Sequence, residues 1–294
     1  MAVGERPRGA AAAAAAPAVP QLFRYFGSKA RMAPALAEAV PEGTRVLVSP
    51  FFGSGAFEYG WAAAHPGARV VGYDLDPAVV NFHRAARTRR LALRARIGEL
   101  LVRGPLPKRA YAAMVAAGLD RGLEGAARFY VVSQHSYGGK IGSYARPPRA
   151  RPPLALEQPL PENVEVRLGD AHDVLAGLAG RPAAGTFVYM DPPYLIARRY
   201  YARSAGFDHA RLAADARACG APWLLSYNDS PDVRRLYRGF PRLSLPIEYN
   251  VLRKGAMITV QRAELLVSSA PLGAAARRRL RAAYYGAVRP ARAP

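Results

Sequence analysis

The chain has 294 residues, 51% of them hydrophobic, with 42 Lys+Arg against 21 Asp+Glu and a formal charge of +21. Such a chain can bury one large domain, or a domain with an insertion, and its apolar runs, broken by Arg, Gly and Pro, exclude a membrane span. One cysteine, Cys219, and five scattered histidines exclude an internal disulfide and a Cys-cluster metal site, so no metal is expected. Abundant Ala and Arg, with only Lys29, Lys108, Lys140 and Lys254 as lysines, resemble the bias of a GC-rich coding sequence. That bias does not account for so few acids, and the excess favours a polyanionic partner, nucleic acid first.

In chain order, residues 1–20 form an Ala/Pro-rich arm without periodicity, expected to stay outside the fold. No signal-peptide pattern surrounds its alanine run, so an intracellular site is expected. RVLVS (Arg45–Ser49) is a strand, followed by a Gly-rich turn and an Ala-rich helix starting near Ala56. RVVGYD (Arg69–Asp74) is a second strand, with a helix opening at Pro77, where proline suits the first turn. Five more strand candidates follow: Val164–Asp170, Thr186–Asp191, Pro222–Asn228, Pro246–Leu252 and Ala263–Ser269. Alternating strands and helices predict an α/β fold with a mostly parallel sheet. The last two candidates, joined by the polar turn RKGAM, predict an antiparallel terminal pair. The gap from Arg87 to Pro161 is too long for one helix. The expected division is therefore a main domain of residues 21–86 and 162–270, an insert of 87–161 and a basic tail of 271–294.

After the first strand, Gly53 and Gly55 permit a tight turn and close approach of a ligand to backbone. About twenty residues on, Asp74 ends the second strand, where an acid can take ribose hydroxyls. A nicotinamide or flavin site would want a third glycine where this chain has Glu58. VYMDPPYL (Val188–Leu195) drives a strand into an acid and two prolines, so the strand stops at Asp191. An exocyclic base amine is a poor nucleophile because its lone pair is delocalised into the ring. Acceptors aimed at its protons localise that pair for attack on an electrophilic methyl. Asp191 offers a carboxylate, and Pro192 offers a carbonyl held rigid by the fixed φ of Pro192 and Pro193. Tyr194 offers a face for stacking. Holding amine and methyl donor in line adds the proximity contribution, and a base in a duplex must first be swung out.

These residues resemble the AdoMet-dependent amino methyltransferases with the D-P-P-Y signature, in particular Dam-type DNA adenine-N6 methyltransferases. Four further segments agree in order: FRYFGSK (Phe23–Lys29), PFFGSG (Pro50–Gly55), YDLDPAVVNF (Tyr73–Phe82) and LGDAHDVL (Leu168–Leu175). LLSYND (Leu224–Asp229) and AELLVSS resemble the family's closing strands. The resemblance covers residues 21–95 and 162–270. It implies a Rossmann-like methyltransferase fold and S-adenosyl-L-methionine (AdoMet) as cofactor, held by Phe26, Lys29, Phe52, Gly53, Ser54, Gly55, Asp74, Asp170 and Asp191. It makes Asp191, Pro192, Pro193 and Tyr194 the catalytic set and 87–161 the region that reads DNA. There, Gln134, His135, Ser136, Tyr137, Lys140, Arg146 and Arg149 are the expected base and phosphate contacts.

The chain departs from the family at Ser49, where an acid is usual, and at Ala171, where an aromatic is usual, so a looser cofactor pocket is expected. His172 and Asp173 are expected at the surface. Cytosine-N4 or RNA adenine methylation stays open, since the same acceptors serve either amine and a basic surface is not DNA-specific. So does a non-catalytic nucleic-acid binder. A protein-glutamine methyltransferase usually shows Asn in place of Asp191.

Overall fold

A computed structural model describes residues 21–101, 104, 106–145, 153–181, 183–195, 206–253 and 256–288. The expected arm of residues 1–20 lies outside these, as do Arg146, Arg149, Lys254 and Gly255.

In chain order the elements are α1 (Ala33–Ala37), β1 (Val46–Ser49), α2 (Ala56–Ala64), β2 (Arg69–Asp74), α3 (Pro77–Thr88), α4 (Arg90–Leu101), α5 (Lys108–Ala116) and α6 (Gly122–Gln134). Then come β3 (Val164–Leu168), α7 (Ala171–Ala176), β4 (Thr186–Met190), α8 (His209–Ala218), β5 (Trp223–Asn228), α9 (Pro231–Leu236), β6 (Arg242–Arg253), β7 (Ala256–Ser268) and α10 (Ala274–Val288). Their strands form one seven-stranded sheet in the order β3-β2-β1-β4-β5-β7-β6. Strands β1 to β5 are parallel, and β7 and β6 close the sheet antiparallel. All seven predicted strands are present, with ends shifted by a residue or two except in the final pair.

Local chemistry accounts for the element ends. Asp76 caps α3, its Oδ1 accepting from Ala78 N at 3.0 Å, with Pro77 in the first turn. The central strands are apolar on both faces because helices cover both. Leu47, Val70, Tyr189 and Leu224 pack into one core with Phe57 and Phe82, while Val48, Val188, Met190 and Leu225 pack into the other with Leu212 and Tyr227.

Strand order reverses between β1 and β4, neighbours in register at Val48↔Val188. The loops leaving their carboxyl ends therefore diverge, and that crevice is where open α/β sheets bind ligands. Both the glycine loop after β1 and Asp191 after β4 open there.

The segment 87–161 folds as α4, α5, α6 and two short 3-10 turns. It shares the first core, with Phe129 and Tyr130 of α6 against Phe82 of α3 at ring separations of 5.7 and 6.3 Å. The basic tail starts as α10, which buries Leu280 and pairs Arg279 with Glu38 at 2.5 Å. Among the described residues no helix is long and apolar enough to cross a membrane.

Candidate active site

The glycine loop is built by β1 ending where β2 also ends. Phe52 N donates to Tyr73 O at 2.8 Å, tying the loop to β2, and Gly53 N donates to Asp74 Oδ2 at 2.8 Å. Asp74 Oδ1 accepts from Asp76 N at 2.9 Å, so its carboxylate stands fixed at the loop mouth. Gly53 has φ +50°, and a Cβ there would lie 2.7 Å from the Tyr25 ring, so both conformation and space demand glycine. Gly72 on β2 is just as constrained, since its Cβ would meet Phe52 at 2.0 Å. Phe52 is therefore core, its ring against Tyr59 and His83. Its backbone forms the loop while its ring packs inside.

His83, a residue that sequence reasoning missed, props the loop from beneath. Its Nε2 lies 2.9 Å from Gly53 O and its Nδ1 3.1 Å from Tyr59 OH. A carbonyl only accepts, so Nε2 carries the proton and Nδ1 takes the tyrosine's. Burial pushes the imidazole down to about 4, against the Gly53 hydrogen bond. A folded value below the unfolded one, about 6.5, gives stability that is complete above that pH and lost as pH falls towards the folded value. The stability advantage of wild type over His83→Gln should therefore shrink by about 3 kcal/mol between pH 7 and pH 4. Urea melts of both proteins at both pH values check this, and an unchanged difference would contradict a neutral buried imidazole.

FRYFGSK links the loop to Asp191. Ser28 Oγ lies 3.1 Å from Ser54 Oγ, while the adjacent Lys29 turns its buried ammonium to the end of β4. Lys29 Nζ donates to both Asp191 oxygens at 2.7 and 2.8 Å, with Tyr194 OH at 2.9 Å, Gly27 O at 3.1 Å and Glu264 Oε1 at 3.5 Å. Five oxygens thus compete for three ammonium protons. Glu264, on β7, also accepts from the hydroxyls of Tyr194 and Ser226. It went unnoticed in the sequence, where AELLVSS reads as an ordinary strand.

Burial would lower the Lys29 pKa, but Asp191 and Glu264 hold it well above the ordinary lysine value. Burial raises Asp191 to about 6, Lys29 opposing and Glu264 adding to the rise. The Asp191 side chain keeps 20% of its exposure, enough to meet a ligand. Lys29, expected among the cofactor contacts, is brought instead to Asp191 and Tyr194.

The missing acid at position 49 has a local substitute. Ser49 Oγ donates to Glu58 Oε1 at 2.6 Å, both groups buried. Burial lifts Glu58 to about 7 despite that hydrogen bond, with Asp191 close enough to add to the rise. The residue that broke the dinucleotide glycine pattern thus sets a carboxyl beneath the same loop. Its sequence signal was an acid in the apolar run AFEYGWAAA.

Asp170 caps α7, its Oδ1 accepting from His172 N at 2.7 Å, on the same carboxyl edge of the sheet. Ala171 is buried and Asp173 exposed. His172 is buried, not at the surface. Its Nδ1 pairs with Asp215 Oδ2 at 2.5 Å and its ring stacks on Phe207.

In the insert, Gln134, Tyr137 and Lys140 reach the surface, Tyr137 at 56% exposure. His135 and Ser136, expected among the DNA contacts, are buried. His135 Nε2 accepts from Leu106 N at 3.1 Å, and Ser136 Oγ bonds the Tyr111 hydroxyl at 2.8 Å. Both tie this loop to the helices. Phe26 lies against Gly138, whose Cβ would stand 3.1 Å from its ring, so the insert loop borders the Lys29 segment.

Residues 25–101 match the profile of the family described as D12 class N6 adenine-specific DNA methyltransferase. The match takes in Lys29, the glycine loop and Asp74 and ends before Asp191. No curated protein matches the chain. Among solved structures, the C-terminal domain of precorrin-6Y C5,15-methyltransferase from Rhodobacter capsulatus is similar at 13% identity and a TM-score of 0.42, over 86% of this chain and 98% of that one. Precorrin-6y C5,15-methyltransferase from Geobacter metallireducens GS-15 is similar at 10% identity and a TM-score of 0.40, over 82% and 87%. Likeness at this level says nothing about substrate. A methyltransferase of the matched family would take AdoMet as its cofactor.

The residues present fit that cofactor. A loop whose Cβ positions are closed to side chains borders a carboxylate fixed by two backbone N–H groups, the pattern suited to a nucleoside's ribose.

Proposed function

We propose that the chain is a DNA adenine-N6 methyltransferase acting on an adenine swung out of the helix. One observation carries this reading. The carboxylate that follows β4 is held by Lys29, whose neighbour Ser28 bonds Ser54 of the glycine loop, with a tyrosine on the same ammonium. The family matched over residues 25–101 supports adenine over cytosine, and the +21 charge supports a polyanionic substrate.

AdoMet supplies an electrophilic methyl on a sulfonium. Gly53, Ser54, Gly55, Asp74 and Asp170 are the residues that would hold it, with Phe26 at the border of the base pocket. Asp191 accepts from the target amine, localising its lone pair as the new N–C bond forms, and is placed to take the proton the amine loses. The Pro192 carbonyl serves as second acceptor, rigid because Pro193 follows. Tyr194 lies over the base, its hydroxyl anchored by Lys29 and Glu264.

For an amine to reach Asp191, Lys29 must release one carboxylate oxygen. Glu264, 3.5 Å from the ammonium, receives it. Gln134, Tyr137 and Lys140 form the face that meets the duplex, bases through the loop and phosphates through Lys140.

Methyl transfer needs Asp191 as carboxylate, and its raised value of about 6 sets the acid limb. Below that pH the rate should fall tenfold per unit and level off above about 7. A pH–rate profile at saturating cofactor checks this, and a rate unchanged from pH 8 to pH 5 would contradict the role. The reading itself is tested by incubating purified protein with duplex DNA and AdoMet labelled in its methyl group. Label should enter the DNA, and none entering would refute the proposal.

A further inference from the structure

Among the described residues, Asn228 is the buried side chain that lacks a partner for both its donor and its acceptor. Neither Nδ2 nor Oδ1 makes a hydrogen bond, and the residue is 7% exposed. A buried amide with two orphan groups is a standing cost to the fold, and such groups in native structures call for an explanation.

Its position supplies one. Asn228 ends β5, the strand next to β4, and stands in register opposite Glu264 on β7. Directly paired residues project from the same face of a sheet, with Cβ atoms about 5 Å apart. Glu264 turns its carboxylate to Ser226, Tyr194 and Lys29 on that face. The orphan amide therefore stands beside the Lys29–Asp191–Tyr194 cluster, at the carboxyl edge where the substrate enters.

We infer that Asn228 is a specificity-determining residue whose amide reads the edge of the target base, its Nδ2 donating to the unprotonated ring nitrogen beside the exocyclic amine. The inference rests on the proposed function and deepens it. Adenine and cytosine each carry an acceptor ring nitrogen next to the amine, and the amide N–H supplies the donor it needs. In the same pose thymine sets N3–H, a second donor, against the amide N–H, and sets O4 against the two acceptors Asp191 and Pro192 O. Asp191 alone, an acceptor of two N–H groups, cannot select on the ring nitrogen.

The test compares wild type with Asn228→Leu, close in volume and apolar. Three quantities are read: Tm, the methyl-transfer rate on adenine-containing DNA, and the affinity ratio for single-stranded oligo(dA) over oligo(dT). The ratio is measured with S-adenosyl-homocysteine present, at salt high enough to damp phosphate contacts. Wild type should prefer oligo(dA) by roughly 10-fold or more, the cost of leaving a buried donor without an acceptor. Asn228→Leu should melt no lower than wild type, lose that preference and transfer methyl at least tenfold more slowly. A variant that keeps both preference and rate overturns the inference, as does one that melts well below wild type, which would make the amide structural. A wild type without preference overturns it too. A wild type that prefers oligo(dA) through Asn228 yet methylates no DNA would refute the proposed function and leave the base-reading role standing.

Discussion

Replacing Asp191 with alanine will lower methyl transfer by about 10²–10³-fold or more, the range seen when one acceptor or donor aimed at developing charge is removed. AdoMet affinity should stay within a few-fold, because the glycine loop and Asp74 form their contacts without Asp191. Folding should survive, since Lys29 retains Tyr194, Gly27 O and Glu264. Calorimetric AdoMet binding beside a transfer assay on the same preparation separates the two effects. Transfer retained at near wild-type rate would remove Asp191 from the chemistry.

Replacing Lys29 with methionine will lower stability by about 3–5 kcal/mol at pH 8, the cost of leaving a buried charge without its partner. Asp191 and Glu264 would then face each other with no cation between them. Removing Lys29 also removes what opposes the rise of Asp191, so its pKa climbs further above about 6. A carboxyl raised above its unfolded value binds a proton in the folded state first. Lowering the pH from 8 to 5 should therefore narrow the gap between the variant and wild type. The acid limb of any remaining activity should move to higher pH. Urea melts at the two pH values decide it, and a gap that widens on acidification would contradict the charge account.

The fold was legible because buried parallel strands read as short apolar runs ended by Gly, Pro or acid, as in RVLVS and TFVYM. The last hairpin was longer than read. The apolar pattern predicts its first strand from Pro246, whereas β6 begins at Arg242. An edge strand tolerates proline because the missing N–H faces away from the ladder. RLSLP already shows the alternation, with Leu243 and Leu245 buried and Arg242 and Ser244 exposed.

Motif spacing located the residues around the crevice, but not what each side chain meets. Phe52, His135 and Ser136 looked like ligand contacts, and packing places them inside. Glu58 and His83 carried no motif, and Asn228 and Glu264 lay in LLSYND and AELLVSS, which read only as closing strands. Their importance comes from polar groups buried on chosen faces of a strand or helix, which depends on register with elements far away in the chain.

The central claim is that Asp191 directs a methyl group to the amine of adenine. Nucleoside mass spectrometry of duplex DNA incubated with the protein and methyl-labelled AdoMet tests this most directly. N6-methyladenine from wild type, absent with Asp191→Ala, is the predicted result. Label found as N4-methylcytosine, or N6-methyladenine made equally by both proteins, would contradict it.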